Sequence, residues 1–243
     1  MEQSQVSWLD YFSGGVPTAE YFRMTLDDLR AISSLADDRP DEFVRLQELC
    51  FVGLMAYFEA FCKDHFASLI NIEPRLVFNL KACGQAVDVD STRLIMFSEG
   101  VGHRFGFVLA EKYDFGTANK INALFRGLLK VTPFGKDDER KYDDLLRDRN
   151  LLIHHGGTFT LSYLEQNKGL SRNPQSDAFY HSRTIQKKDV TAAIEFIEAI
   201  AKRLIRSSYA AFLDYLTAER IEYSGERKKA LDYMSWSPDE RAL

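Results

Sequence analysis

Hydrophobic and polar positions alternate with a helical period along most of the chain. From Thr18 to about Ala36, apolar residues recur three and four positions apart, which predicts an amphipathic helix. A second predicted helix runs from Asp41 to about Ile72, and its middle, LCFVGLMAYFEAFC, is apolar almost all round. A helix without a polar face is covered by its neighbours, so this segment is predicted to lie centrally in the fold.

Glycine and proline divide the rest of the chain into further predicted helices. The sequence KDDERKYDDLLRDRNLLIHH predicts a helix of about 18 to 20 residues that stops at Gly156 and Gly157, because glycine favours the backbone geometry that ends helices. The other predicted helices are several short ones within 74–116, one over 118–129 and a long one over 187–222.

One region departs from the helical period. Thr158–Tyr163 and Phe179–Ile185 alternate between apolar and polar residues and are rich in β-prone types, with loop-forming residues between them. This pattern predicts a β-hairpin insertion over residues 158–185. The predicted fold class is therefore all-α, a helical bundle with this hairpin, in a single domain over residues 1–243 with a lead-in (1–17) and a charged tail (223–243).

Composition narrows the class of protein. The formal net charge of -5 argues against a general nucleic-acid coat protein, although a local basic patch can still serve one RNA site. The cysteines Cys50, Cys62 and Cys83 show no paired spacing, which indicates free thiols in a reducing compartment. The first residues lack the basic start and apolar run of a signal peptide. We therefore expect a cytoplasmic protein without a membrane partner.

Arg149 occupies an unusual position on the predicted helix that ends at Gly156. A cation in the middle of an apolar face needs a partner or a function, since unpaired burial costs several kcal/mol. All four residues three or four positions away are aliphatic: Leu145, Leu146, Leu152 and Ile153.

Glu59 is the predicted partner of Arg149. It is the only charged residue between Leu49 and Cys62, within the apolar helix. Because each of the two charges would be costly to bury alone, the sequence predicts that they contact each other or share a hydrogen-bond network.

A second face of the same helix carries polar residues suited to phosphodiester chemistry. Asp143, Arg147, Asn150 and His154 follow one another at helical spacing, so Asn150 and His154 are stacked one turn apart. Histidine moves protons near neutral pH, and arginine binds phosphate and its developing negative charge. An arginine, an amide and a histidine near one helix C-terminus could therefore bind a phosphodiester and move a proton.

The run Arg149-Asn150-Leu151-Leu152-Ile153-His154 resembles the R-x4-6-H signature of the HEPN superfamily. In that family a polar residue, often Asn, commonly follows the arginine, and the trailing Gly156-Gly157 is also typical. The similarity extends loosely over most of the chain: a long apolar helix first, the motif helix late and a closing helix after it. It implies a HEPN-like helical bundle.

The resemblance implies an activity and roles for individual residues. HEPN ribonucleases pair two motif helices across a homodimer interface, use the 2′-hydroxyl of the RNA as nucleophile and leave a cyclic phosphate, without metal or cofactor. Carried over, Arg149 binds the phosphate, His154 is the general acid or base, and Asn150 orients them. His155 also satisfies the looser spacing and remains an alternative to His154. Family members recur as toxins, anti-phage effectors and RNA-processing enzymes, which makes an antitoxin or defence-system protein a possible partner.

Each residue also has a purely structural interpretation. Arg149 is compatible with a buried ion pair alone, Asn150 with a helix-end cap, and His154 with an ordinary surface or core histidine. Cys62 and His65 have the spacing of a zinc-ligand pair, but no second pair exists, so no metal site is predicted. The alternative function is a non-catalytic HEPN module that binds a protein partner or a nucleotide. RNA cleavage by the pure protein in EDTA separates the two.

Overall fold

The structure, a computed structural model, describes residues 6–38, 45–96, 101–167, 169–171 and 173–236. Within these residues all regular elements are helical, which confirms the predicted all-α class. Two 3-10 turns, Trp8–Tyr11 and Ser13–Gly15, precede the helices. The helices are α1 (Thr18–Asp38), α2 (Leu46–Ile72), α3 (Leu76–Ala82), α4 (Ser91–Met96), α5 (Val101–Ala110), α6 (Ala118–Leu129), α7 (Lys136–His155), α8 (Leu161–Gln166), α9 (Pro174–Asp177), α10 (Lys187–Ala218) and α11 (Gly225–Asp232).

The chain divides into two compact units. The first unit comprises residues 1–24, 58–135 and 199–243, and the second comprises residues 25–57 and 136–198. The predicted single domain and its HEPN-like arrangement stay predictions. None of the helices within the described ranges has both the length and the apolar character needed to cross a membrane.

Aromatic side chains form the centre of the first unit. Phe58, Phe61 and Phe66 project from α2 and are almost completely buried. The Phe22 ring stacks on Phe61 with centroids 4.4 Å apart, and Phe66 meets Phe125 of α6 edge-on at 5.7 Å. The predicted helix is therefore present from Leu46 to Ile72, and its second half lies in this core. Its first half is not covered all round as predicted, since 67% of Leu49 and 45% of Tyr57 are exposed. The predicted start at 41–44 lies outside the described residues.

His65 belongs to this aromatic core. Its Nε2 lies 2.7 Å from the Ser208 hydroxyl of α10, and its ring stacks between Phe61 and Phe125. Burial lowers the pKa of His65 to about 3, so the imidazole is neutral at ordinary pH. Cys62 is also buried, and burial followed by the nearby Glu59 charge raises the pKa of its thiol. The Cys62–His65 spacing thus reflects core packing.

Helix α5 approaches α2 at Gly106 closely enough to exclude any side chain. A Cβ atom on Gly106 would lie 2.1 Å from the Ala67 carbonyl oxygen and 2.8 Å from Asn71 Oδ1. The Gly106 amide donates to Asn71 Oδ1 at 2.7 Å, and the Asn71 Nδ2 donates to the Tyr11 carbonyl at 3.2 Å. Asn71 therefore ties α5 and the N-terminal 3-10 turn to α2.

In the second unit, α7 ends where the sequence predicts. The Gly156 amide donates to the Leu152 carbonyl and the Gly157 amide to the Leu151 carbonyl, both at 3.1 Å, which satisfies the last turn. Gly157 has a φ of 85°, and a Cβ there would lie 3.0 Å from the Arg183 carbonyl oxygen. Glycine is thus required where the chain turns away from α7.

The predicted β-hairpin over 158–185 is not formed in the described residues. Thr158 and Ser182 make a single isolated antiparallel bridge, and residues 161–166, which include the end of the first predicted strand, form α8 instead. The Thr160 hydroxyl accepts a hydrogen bond from the Tyr163 amide and so caps α8. Tyr163 and Leu164 then pack with Leu151 and Ala178 in a small core. Capping and burial of this helical turn outweigh the β-propensity of the sequence.

The predicted charged tail also contains a helix. The last long helix ends at Ala218 and not near residue 222, and α11 follows within the region predicted to be a tail. The Trp8 amide donates to Glu226 at 2.8 Å, and the Trp8 and Tyr233 rings lie 4.2 Å apart. The predicted lead-in thus provides the surface on which α11 packs. Residues 237–243 lie outside the described part.

Replacing Gly106 should destabilise the first unit. Gly106→Ala places a methyl group against the α2 backbone, so we expect the free energy of unfolding to fall by about 3 kcal/mol. Urea denaturation followed by circular dichroism measures this. Gly102 lies on the same helix, and a Cβ added there would have nothing within 4 Å, so Gly102→Ala is the matched control. It should be neutral or stabilising by up to about 1 kcal/mol. Equal effects of the two substitutions would contradict the close α2–α5 approach.

Candidate functional site

Charge is distributed along α7 in the direction that favours the helix dipole. Asp137, Asp138 and Glu139 occupy its first turn, and His154 and His155 occupy its last. Negative groups near the N-terminus and imidazoles near the C-terminus both interact favourably with the backbone dipoles. The helix that carries the predicted site is therefore stabilised at both ends, which gives the site a rigid support.

A pocket of about 160 Å³ lies between the C-terminal half of α7 and α8 in the second unit. We call it the α7–α8 pocket. Helix α7 contributes Arg147, Asn150, Leu151, His154 and His155. The α8 side contributes Thr160, Ser162, Tyr163 and Gln166. Three residues of the predicted polar stripe, together with the alternative histidine, thus share one pocket.

The histidines and Asn150 are accessible in this pocket. His154, His155 and Asn150 are all exposed, so a solvent-borne ligand can reach their side chains. A surface position is also compatible with the structural interpretation of His154. The shared pocket, which places both imidazoles beside an amide and a guanidinium, is the feature that favours chemistry over that interpretation.

Arg149 is placed differently from the expectation. It is half-buried, and its Nη1 donates to Asn150 Oδ1 at 3.0 Å, but Arg149 does not line the α7–α8 pocket. The surrounding apolar face is only partly covered, since Leu152 is buried while 46% of Ile153 is exposed. Arg149 therefore affects the pocket indirectly, because its hydrogen bond orients the Asn150 side-chain amide.

Arg147 faces the pocket directly. It forms an ion pair with Asp144, one turn earlier on α7, and 29% of its side chain is exposed. Among the described residues, the buried side-chain nitrogens that lack a hydrogen-bond partner are the Nε atoms of Arg147 and Arg149. An unsatisfied buried donor is costly, and a bound anion is one way in which a protein satisfies it.

Asp148 holds α8 against α7. Its Oδ1 accepts a hydrogen bond from the Tyr163 hydroxyl at 2.5 Å, and its Oδ2 accepts one from Arg183 Nε at 3.1 Å. Burial, followed by the hydrogen bond to the Asp148 carboxylate, raises the pKa of Tyr163. The phenol is thus a permanent donor, and this cluster fixes the second wall of the pocket.

Sequence reasoning misses the Asp148 cluster and the α8 wall. Tyr163 falls in a segment whose alternation predicts a strand. A signal for a helix is present, because Thr160 is a favoured N-cap residue and the following LSYLEQ contains several good helix formers. No local pattern pairs Asp148 with Arg183, which lies 35 positions away in the chain.

Glu59, the predicted partner of Arg149, belongs to the first unit. Its Oε1 lies 3.8 Å from the position of a Cβ on Gly116, and its charge acts on the buried Cys62 thiol. Arg149 belongs to the second unit, so their predicted contact stays a prediction. The described residues also hold no group of three or more His, Cys, Asp or Glu side chains that is suited to a metal ion.

Comparison with known proteins gives no relatives. No protein-family model, curated protein or solved structure matches this chain.

Removing the Tyr163 hydroxyl should loosen α8. A hydrogen bond to a charged group contributes about 1.5–3 kcal/mol, so Tyr163→Phe should lower the free energy of unfolding by that amount. Hydrogen exchange of the α8 amides should become faster than in the wild type. Tyr180, of which 82% is exposed, provides the control variant Tyr180→Phe, which should change neither quantity. Unchanged stability and exchange in Tyr163→Phe would contradict the role of Asp148 in holding this helix.

Proposed function

We propose that this protein is a metal-independent RNA endonuclease of the HEPN type. The observation that supports it is the α7–α8 pocket, in which His154 and His155 lie beside Asn150 and Arg147. Two imidazoles provide proton transfer, the guanidinium binds an anion and the amide orients a ligand. The R-x4-6-H signature on the same helix supports RNA as the substrate.

The proposed reaction is an internal transesterification. A histidine acting as general base accepts the proton of the 2′-hydroxyl, and the 2′-oxygen attacks the adjacent phosphorus. The bond from phosphorus to the 5′-oxygen breaks, and a second imidazole donates a proton to that oxygen. The products are a 2′,3′-cyclic phosphate and a 5′-hydroxyl. Neither step requires a metal ion, because both proton transfers use side chains.

The residues take different roles in this proposal. His154 acts as acid or base, as the family resemblance implies, and His155 in the same pocket is available for the complementary proton transfer. Asn150 contacts the phosphate group or the 2′-hydroxyl. The resemblance assigns phosphate binding to Arg149. Its 3.0 Å hydrogen bond to the Asn150 side chain also makes it a residue that positions Asn150.

A homodimer is part of the proposal. The HEPN resemblance implies that two α7 helices pair, and the outer face of α7 offers an apolar stripe for this contact. Leu145 and Leu146 are only half-buried, and 46% of Ile153 is exposed. A second copy would cover these side chains around a twofold axis and bring two sites together.

The biological setting follows from the resemblance alone. We propose that the protein is a toxin or an anti-phage effector, since HEPN ribonucleases recur in both roles. An antitoxin or defence-system partner would then act by covering the α7–α8 pocket or by blocking the pairing of α7.

RNA cleavage should persist when metals are removed. Purified protein incubated with total RNA in excess EDTA should cut it at the same rate as in magnesium. His154→Ala should lower the rate by about 10²- to 10⁴-fold, because it removes a proton-transfer group. His155→Ala tests whether the neighbouring imidazole is the complementary group.

His181 is the control for these variants. It is exposed in the same unit but does not line the pocket, so His181→Ala should cleave at the wild-type rate. Activity that disappears in EDTA and returns with magnesium or zinc would overturn the proposed mechanism. Intact RNA under every condition would instead support the non-catalytic binding module.

Pairing of α7 should depend on Ile153. We expect the wild-type protein to sediment as a dimer at micromolar concentration and Ile153→Asp to sediment as a monomer, because a buried unpaired carboxylate opposes association. Leu49→Asp, at an α2 position that is 67% exposed, is the matched control and should remain dimeric. A wild-type monomer with full activity would contradict the dimer.

A further inference from the structure

We propose that two exposed aromatic side chains near the α7–α8 pocket, Phe179 and Tyr180, stack on bases of the single-stranded RNA that the site cleaves. We call this pair the aromatic turn. This inference rests on the proposed function and deepens it, because it names residues that hold the RNA strand beside the acid–base residues. Stacking accepts every base, so no particular RNA sequence is required.

The aromatic turn presents most of two rings to solvent. The exposed fraction is 67% for Phe179 and 82% for Tyr180. The neighbours in the chain are polar and exposed, namely Ser176 before the pair and His181 and Ser182 after it. Two flat rings in polar surroundings suit stacking on unpaired bases, whereas the core of a protein interface is a contiguous apolar area.

The backbone holds the two rings in place. Phe179 has a φ of 68°, in the left-handed region that a bulky side chain rarely adopts. Its amide donates to the Phe159 carbonyl at 2.8 Å, and the Phe159 amide donates to the His181 carbonyl at 2.9 Å. These bonds maintain the strained conformation, so the rings are presented by an anchored turn. Strain that the surrounding structure maintains is concentrated at functional sites.

The aromatic turn is attached to the wall of the α7–α8 pocket. Ala178, which directly precedes Phe179, packs in one small core with Leu151 and Tyr163. Both of these residues also line the pocket. An RNA strand whose phosphate lies in the pocket can therefore extend onto the neighbouring rings.

The charge that follows the aromatic turn is complementary to RNA. Residues 179–188 contain Arg183, Lys187 and Lys188 and no acidic residue, although the formal net charge of the chain is -5. Arg183 pairs with Asp148, whereas Lys188 is exposed. Aromatic rings together with cations are the means by which proteins bind single-stranded nucleic acid, since the rings stack on bases and the cations contact phosphates. This combination favours a nucleic acid as the occupant.

The test compares an RNA strand with an abasic strand of equal length. Methylation of the 2′-hydroxyls prevents transesterification in the first strand, and the second keeps the phosphates but has no bases to stack. In fluorescence titrations of the full-length protein, the base-bearing strand should bind at least about fivefold more tightly, which corresponds to the lower limit for stacking of one base.

Two substitutions remove the rings in different ways. Tyr180→Leu keeps an apolar side chain, and Phe179→Gly suits the left-handed backbone because glycine adopts a positive φ without strain. Each should reduce the preference for the base-bearing strand several-fold, while the midpoint of thermal unfolding stays within a few degrees of the wild-type value. Tyr180→Phe keeps the ring and should keep the preference. Lys188→Gln should weaken both strands by a similar factor, because it removes a phosphate contact.

Phe78 provides the matched aromatic control. It is 70% exposed and belongs to the first unit, so Phe78→Leu should keep the wild-type affinity and the wild-type preference. A loss in Phe78→Leu equal to that in Tyr180→Leu would show that the position of the ring does not matter, and would overturn the role of the aromatic turn.

The outcomes distinguish this inference from the function on which it rests. Equal affinity of the wild type for the two strands, or a preference that survives both Tyr180→Leu and Phe179→Gly, would overturn the aromatic turn as an RNA contact even if the protein cuts RNA in EDTA. A preference that depends on the two rings in a protein that cuts no RNA would support the aromatic turn while contradicting the proposed endonuclease.

Discussion

The candidate site depends on the Asp148 carboxylate. One of its oxygens accepts a hydrogen bond from the Tyr163 hydroxyl, and the other accepts one from the Arg183 guanidinium. These two bonds attach α8 and the segment before α10 to α7. Only 17% of the Asp148 side chain is exposed, and a carboxylate in that setting is stable because two donors replace its lost water. This contact therefore helps to hold α8, the opposing wall of the pocket, against α7.

The site is built from one long helix, α7, and one short helix, α8, which other contacts hold in place. The twenty-residue α7 holds Asn150, His154 and His155 in fixed register near its C-terminus. The six-residue α8 is too short to be stable by itself, and its position comes from the Thr160 cap and from the burial of Tyr163. In the proposed endonuclease, the acid–base residues therefore lie on the long helix, and the short helix forms the opposing wall of the pocket.

The sequence predicts the positions of residues within one helix. It does not predict the contacts between segments that are distant in the chain. Spacing alone predicts the bounds of α7 and the common face of Arg147, Asn150 and His154. The β-prone residues before Tyr163 predict a strand that does not form, because cap and core contacts override local propensity. The helical wheel also places Arg149 in a fully apolar face, whereas Ile153 on that face is 46% exposed and Arg149 bonds to Asn150. Only the folded chain shows that the α7–α8 pocket is lined by Arg147 and not by Arg149.

The chemical nature of the RNA ends tests the central claim most directly, because it reports which oxygen attacked the phosphorus. RNA fragments made by the purified protein can be analysed by mass spectrometry. Attack by the 2′-hydroxyl, with His154 moving a proton, predicts a 2′,3′-cyclic phosphate on one fragment and a 5′-hydroxyl on the other. Fragments that carry a 5′-phosphate and a 3′-hydroxyl would mean that water attacked from the opposite side, and would contradict this account of the site.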